Sequence, residues 1–127
     1  MSLQSPLGRV LGHGSAKNGV HHWWVQRLTS IALIPLAVWM TVSLVTLPSF
    51  DYATVVGWMS HGWTALLLCL FIGVAARHSQ LGIQVIIEDY VHGATKTLSL
   101  ILSTFAHVLV AAAAIFATLR VAFGGAA

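Results

Sequence analysis

The chain has 127 residues, of which 57% are hydrophobic and only 7% are charged, and its formal net charge is +3. This composition leaves too little polar surface to cover a water-soluble globule, so it predicts an integral membrane protein. The few basic residues are scattered along the chain, which excludes a nucleic-acid-binding surface. A single cysteine, Cys69, excludes a disulfide framework.

The sequence predicts one all-α membrane-anchor domain, residues 1–127, with an irregular N-terminal arm and three transmembrane helices. Residues 1–20 are rich in Gly and Ser and predict an arm outside the bilayer. Three apolar stretches follow that are long enough to cross a membrane. The predicted helices span about residues 22–47, 54–88 and 96–123. The second and third are expected to pack as antiparallel neighbours, because the connection between them is short.

Basic residues flank mainly one side of the predicted spans. Arg9, Lys17 and Arg27 precede the first span and Lys96 lies between the second and third, whereas Arg120 is alone at the other side. By the positive-inside rule, the N-terminus is expected to be cytoplasmic, and the second helix to end on the same side. No removable signal peptide is expected before the first span.

The polar segment at residues 77–90, RHSQLGIQVIIEDY, interrupts the apolar central third of the chain. On a helix, the spacing of His78, Gly82, Val85 and Asp89 places all four on one stripe. Asp89 follows His78 by eleven positions, which correspond to roughly 16 Å along a helix, about half the hydrocarbon thickness of a bilayer. An Asp89 at the membrane surface therefore predicts a His78 near mid-depth.

An imidazole at that depth is costly unless it is hydrogen-bonded or binds a metal. Neutral imidazole is a strong axial ligand of heme iron, and Gly82 has no side chain to obstruct a flat ligand beside His78. The alternative is a hydrogen bond from His78 to a backbone carbonyl or to a Ser on a neighbouring helix. A second heme ligand would be His107 or a His of another chain, and the alternative for His107 is an interhelical hydrogen bond.

Two further polar groups are predicted at the cytoplasmic surface. The Tyr90 phenol can donate to a quinone carbonyl and the Asp89 carboxylate can relay protons, the alternative being an acidic helix end with an interfacial Tyr. His21, His22 and Arg27 can hold an anionic group or serve only as a positive-inside anchor. The sequence has no nucleophile and base pair, phosphate-binding loop or two-carboxylate site, so the chain alone is not expected to be an enzyme.

Two segments of this three-span chain, NGVHHWWVQRLTSIAL and HSQLGIQVIIEDYVH, closely resemble the hydrophobic membrane anchor subunit of bacterial succinate dehydrogenase, part of respiratory complex II. The resemblance runs from about residue 14 to the end of the third helix. It implies that His78 is an axial ligand of heme b, and that a His of the sister cytochrome b anchor subunit is the opposite ligand.

The same resemblance implies roles for four more residues. Tyr90 would hydrogen-bond the carbonyl of ubiquinone, and Asp89 would belong to the same site. His21 and Arg27 would lie near the heme propionates and the quinone pocket.

The implied function is that of a membrane anchor in succinate:ubiquinone oxidoreductase, which connects the tricarboxylic acid cycle to the respiratory chain at the bacterial inner membrane. The implied bundle binds heme b together with the sister anchor and docks the iron-sulfur subunit and the flavoprotein subunit. The alternatives are a cofactor-free structural anchor or assembly protein, and the anchor of a related fumarate reductase. A proton-linked transporter is disfavoured, because all three acidic residues lie at the edges of the predicted spans.

Overall fold

The computed structural model describes residues 17–124, and the secondary structure in this range is entirely α-helical. The all-helical prediction is therefore confirmed for the described part of the chain. Most of the predicted N-terminal arm, residues 1–16, lies outside it, and the first helix already begins at Lys17. The four helices are α1 (Lys17–Thr46), α2 (Tyr52–Ser60), α3 (Gly62–Tyr90) and α4 (Ala94–Gly124).

Three of the helices are long and apolar enough to cross a membrane, over Gly19–Thr46, Gly62–Tyr90 and Ala94–Gly124. The chain is thus a multi-pass membrane protein, as its composition predicts. Helix α3 has 29 residues and is about 43 Å long, which exceeds the ~30 Å hydrocarbon core of a bilayer. One end of α3 therefore reaches the headgroup region, or the helix tilts.

The helix predicted over residues 54–88 is divided in two at His61. This residue has an extended backbone, with φ −67° and ψ 127°, so it ends α2 and precedes α3. The Ala65 N–H donates to the His61 carbonyl at 2.9 Å, which begins the hydrogen bonding of α3. The apolar residues continue on both sides of this break, so hydrophobicity alone predicts one long helix.

Helix α2 packs against α3 and α4, has a capped N-terminus and makes one aromatic contact with α1. Asp51 caps its N-terminus by accepting a hydrogen bond from the Thr54 N–H at 2.9 Å. Trp58 stacks on Trp39 of α1, with 6.2 Å between the ring centroids. The short helix therefore contacts α3, α4 and the C-terminal part of α1.

Helix α3 lies at the centre of the bundle and packs against all three other helices, whereas α1 and α4 do not contact each other within residues 17–124. Leu81 of α3 is the most buried large side chain, with 1% of its surface exposed. The turn from α3 to α4 is short because Gly93 adopts φ +68°, a left-handed conformation that glycine tolerates best. The two sides of α3 thus form two separate interfaces, one with α1 and one with α4.

Candidate functional site

His78 lies at the interface between α1 and α3, where its ring contacts a hydroxyl group of α1. The distance from His78 Nδ1 to Thr29 Oγ1 is 3.0 Å. The same hydroxyl is 2.8 Å from the Val25 carbonyl and 3.0 Å from the Gln26 carbonyl. Carbonyl oxygens only accept, so when the single hydroxyl proton of Thr29 is donated to one of them, Thr29 Oγ1 accepts from His78 Nδ1–H. The other ring nitrogen, Nε2, then carries the lone pair that can bind a metal.

Thr29 belongs to a polar stripe on α1 that faces α3. His22, Gln26 and Thr29 are spaced by four and three residues, which places them on one helix face. His22 Nε2 and Gln26 Oε1 are buried and have no hydrogen-bond partner among the described residues. An unsatisfied buried polar atom costs about 1–3 kcal/mol, so we expect water, a cofactor or another subunit to satisfy these two.

The predicted stripe on α3 faces this part of α1. A methyl group placed at Gly82 would lie 3.9 Å from Gln26 Nε2, which is an ordinary van der Waals contact. The face that carries His78 and Gly82 is therefore partly covered by α1. Val85 and Asp89, further along the same predicted stripe, are exposed.

A cleft of about 420 Å³ separates the start of α1 from the second half of α3. Four of its lining residues have ionisable side chains, namely His21, His22, Arg77 and Glu88. The others are Gly19 of α1 and Leu81 and Gln84 of α3. Because His21 and Glu88 line one cleft, the start of α1 and the end of α3 lie at the same end of the bundle.

Arg27 does not join His21 in this cleft. The two residues are six positions apart on α1, which corresponds to roughly 120° around the helix axis. The Arg27 guanidinium lies over the ring of Trp23, 5.4 Å from its centroid. This cation–π contact holds the charge on a different face of α1. The structure therefore divides the predicted cluster of His21, His22 and Arg27 between two faces.

Asp89 and Tyr90 are the last two residues of α3, and both are exposed. Tyr90 has 79% of its surface exposed, and neither side chain forms a hydrogen bond with another residue of the described range. The neighbouring Glu88 is engaged instead: its carboxylate accepts from Gln84 Nε2 at 2.8 Å. Its carbonyl also accepts from Lys96 Nζ at 3.0 Å. The phenol and carboxylate of the Asp89–Tyr90 pair are thus free to contact another subunit or a ligand.

His107 lies on the opposite side of α3 and links it to α4. Its Nδ1 is 2.7 Å from the Ser103 carbonyl, so this nitrogen donates. Its Nε2 is 3.2 Å from Ser79 Oγ and therefore accepts from that hydroxyl. Both ring nitrogens are used, which is the interhelical hydrogen bond considered as the alternative for this residue. A second bond across the same interface runs from Gln80 Nε2 to Thr104 Oγ1 at 3.3 Å.

Residues 17–124 contain no group of three or more His, Cys, Asp or Glu side chains that could hold a metal ion. The part of the chain that the structure describes therefore offers single ligands rather than a complete set. Gln26 and Thr29 are the site residues that the sequence analysis did not single out. Their spacing from His22 is a helical signal that would have identified them.

Three helices that are long and apolar enough to cross a membrane, with an imidazole between two of them, define a multi-pass helical membrane protein. The chain belongs to the family described as the succinate dehydrogenase/fumarate reductase transmembrane subunit, which matches residues 1–119.

Individual relatives agree with this assignment. The succinate dehydrogenase hydrophobic membrane anchor subunit of Rickettsia conorii is 32% identical over 113 residues, which cover 87% of this chain and 90% of the relative. The subunit of the same name from Paracoccus denitrificans is 27% identical over 124 residues, which cover 98% of this chain and 96% of the relative. No solved structure matches the chain. The predicted family is thus confirmed.

Proposed function

We propose that this membrane anchor contributes His78 as one of two axial ligands of a heme b and completes a ubiquinone site with Tyr90, in a succinate:ubiquinone oxidoreductase. The observation that carries the proposal is the hydrogen bond between His78 Nδ1 and Thr29 Oγ1. It orients the ring and leaves the Nε2 lone pair for a metal, which is the arrangement that histidine ligands of metals commonly have.

The residues around His78 fit such a group. The ring is half-buried in an apolar helix, and an imidazole in this setting needs a partner for each nitrogen. The buried polar atoms of His22 and Gln26 on the facing helix also lack partners within residues 17–124. When bound, heme b supplies a one-electron carrier at the depth of His78. The opposite ligand would be a His of the sister cytochrome b anchor subunit.

The quinone site is proposed at the end of α3. Tyr90 would donate its phenol proton in a hydrogen bond to a ubiquinone carbonyl, and Asp89 would pass protons from the aqueous side. Reduction of ubiquinone to ubiquinol takes two protons and two electrons, and the iron-sulfur subunit would deliver the electrons that the flavoprotein subunit takes from succinate. The exposure of both side chains supports a site completed by other subunits.

His21 and Arg27 are proposed to lie near the heme propionates and the quinone. His21 borders the 420 Å³ cleft, whereas Arg27 projects from another face of α1 beside Trp23. The two residues would therefore contact different groups, or the same group from two sides. We place the N-terminus on the cytoplasmic side of a bacterial inner membrane, because four of the five basic residues that flank the spans are on that side.

A reduced-minus-oxidised absorption spectrum of the complex purified through this chain tests the heme. We expect a b-type signal in the wild type and in His107→Ala, and no signal in His78→Ala with all subunits still assembled. His107 is the matched control, since it is also an imidazole in a membrane helix but uses both nitrogens within the chain. An unchanged signal in His78→Ala would contradict the proposed ligand.

The quinone site is tested separately by Tyr90→Phe, which removes only the phenol hydroxyl. We expect slower reduction of ubiquinone and an unchanged rate of succinate oxidation with an artificial dye as acceptor. Equal loss of both activities would count against a role of Tyr90 at the quinone.

A cofactor-free structural anchor is the second candidate, and the bond between His78 and Thr29 is also what that candidate predicts. It requires that no heme spectrum appears in the purified wild-type complex. The family description covers fumarate reductases as well, so the direction of the reaction is to be measured with both succinate and fumarate.

A further inference from the structure

We propose that Thr29 is a positioning residue that sets the tautomer of His78 and thereby tunes the reduction potential of the group that His78 binds. The inference rests on the proposed function, because it takes His78 to be a heme ligand. It assigns a role to a residue on a different helix, 49 positions away in sequence.

The surroundings of the Thr29 hydroxyl set the direction of its hydrogen bonds. Thr29 Oγ1 lies within 3.0 Å of two carbonyls of its own helix, those of Val25 and Gln26, so its proton is shared between them. Only its lone pairs are left for His78, which must then donate through Nδ1–H. The hydroxyl therefore discriminates between the two neutral tautomers and selects the one with a free Nε2.

The position of Thr29 Oγ1 also sets the orientation of the His78 ring. A β-branched threonine has few allowed rotamers on a helix, and this one is fixed further by its bonds to the carbonyls one turn earlier. The acceptor oxygen therefore has a defined position relative to α1. Because Nδ1 is 3.0 Å from that oxygen, the bond restricts rotation of the His78 ring about its side-chain torsions.

The bond to Thr29 also affects how strongly the His78 imidazole donates electrons to a metal. A hydrogen bond donated by the second ring nitrogen makes an imidazole a more basic ligand, and such partners of metal-bound histidines affect metal affinity by about 10- to 100-fold. A more basic axial ligand favours ferric over ferrous heme. Loss of the Thr29 hydroxyl should therefore weaken heme retention and raise the midpoint potential.

The chain offers a matched control for this test. Thr46 is on the same helix and forms the same pair of bonds, to the carbonyls of Val42 at 2.9 Å and Ser43 at 3.1 Å. Its hydroxyl is exposed and contacts no imidazole among the described residues. Thr46→Val therefore removes an equivalent hydroxyl from α1 without affecting His78.

The experiment compares Thr29→Val, Thr29→Ser and Thr46→Val in the purified complex, by redox titration of the b-type absorbance and by the rate of heme transfer to apomyoglobin. We expect Thr29→Val to raise the midpoint potential and to release heme roughly 10- to 100-fold more readily. Thr29→Ser, which keeps the hydroxyl, should restore both values, and Thr46→Val should equal the wild type. If Thr29→Val does not assemble, Thr29→Ala provides the same comparison.

A Thr29→Val complex with a wild-type potential and wild-type heme retention would overturn the inference. A Thr29→Val complex that differs from the wild type only in lower heat stability would also overturn it, because a purely structural bond predicts that result. A Thr29→Ser complex that does not regain the wild-type potential would overturn it as well. These outcomes are distinct from a failure of the proposed function, in which His78→Ala itself keeps the b-type signal.

Discussion

His78 and His107 make a direct comparison, since both are imidazoles in membrane-spanning helices and both bond a hydroxyl on a neighbouring helix. His107 donates through Nδ1 to a carbonyl of its own helix and accepts through Nε2 from Ser79. His78 donates through Nδ1 to Thr29, and no hydrogen bond of its Nε2 to another residue of the described range is present. The first ring is saturated by the chain, and the second keeps one nitrogen for a ligand.

The two interfaces of α3 also differ in the hydrogen bonds between the helices. Between α3 and α4, bonds from Ser79 to His107 and from Gln80 to Thr104 close across the interface, although Ser103 Oγ of α4 is buried without a partner in the described chain. Between α1 and α3, the bond between His78 and Thr29 is accompanied by two buried atoms of the α1 stripe that have no partner within residues 17–124. The α1–α3 interface therefore leaves more of its buried polar atoms for a further group to satisfy.

The largest effect is expected at Leu81, which has 1% of its surface exposed and borders the cleft between α1 and α3. Leu81→Ala should destabilise the assembled complex by about 2–5 kcal/mol, because it leaves a cavity that the helices fill only in part. Thermal unfolding in detergent measures the change. Leu70→Ala is the control, since Leu70 is on the same helix with 47% of its surface exposed. Similar losses for both variants would contradict a core at the α1–α3 interface.

A smaller effect is expected at the α3–α4 interface. Ser79→Ala removes the donor to His107 Nε2, and interhelical hydrogen bonds in membranes contribute about 0.6 kcal/mol on average. The thermal midpoint should fall slightly while the b-type spectrum stays unchanged, because the proposed ligand is His78 and not His107. Ser60→Ala is the control, since Ser60 bonds only the Val56 carbonyl of its own helix. A changed spectrum in Ser79→Ala would remove the distinction between the two histidines.

The smallest effect is expected outside both interfaces, at the cap of α2. Hydrogen bonds from the Ser49 hydroxyl, the Thr54 N–H and the Thr54 hydroxyl lower the pKa of Asp51 from 3.8 to about 2. A lowered pKa in the folded state means that the cap stabilises α2 fully above the unfolded pKa near 4, and that this contribution is lost as the pH falls through about 2.

Tryptophan fluorescence between pH 5 and pH 2 measures this loss, because Trp58 of α2 stacks on Trp39. Asp51→Asn is the control, since asparagine caps a helix about as well but does not titrate in this range. An identical acid transition in the wild type and in Asp51→Asn would show that another group is responsible.

The sequence by itself determined the class of protein and the position of its polar groups along the helices. Apolar runs of about 20 residues must form helices in a bilayer, because no other local structure satisfies the backbone there. The distance between His78 and the Asp89–Tyr90 pair also follows from the helical rise alone, since all three lie on α3. The apolar pattern did not predict the break at His61, where a single extended residue separates α2 from α3.

Only the tertiary structure decided which side chains meet. The pairing of His78 with Thr29 joins residues 49 positions apart, and no local pattern encodes how α1 is rotated against α3. The same rotation directs Gln26 towards Gly82. Two histidines that both lie in apolar spans of the sequence therefore have different partners in the folded chain, because hydrogen bonds between helices depend on which faces pack together.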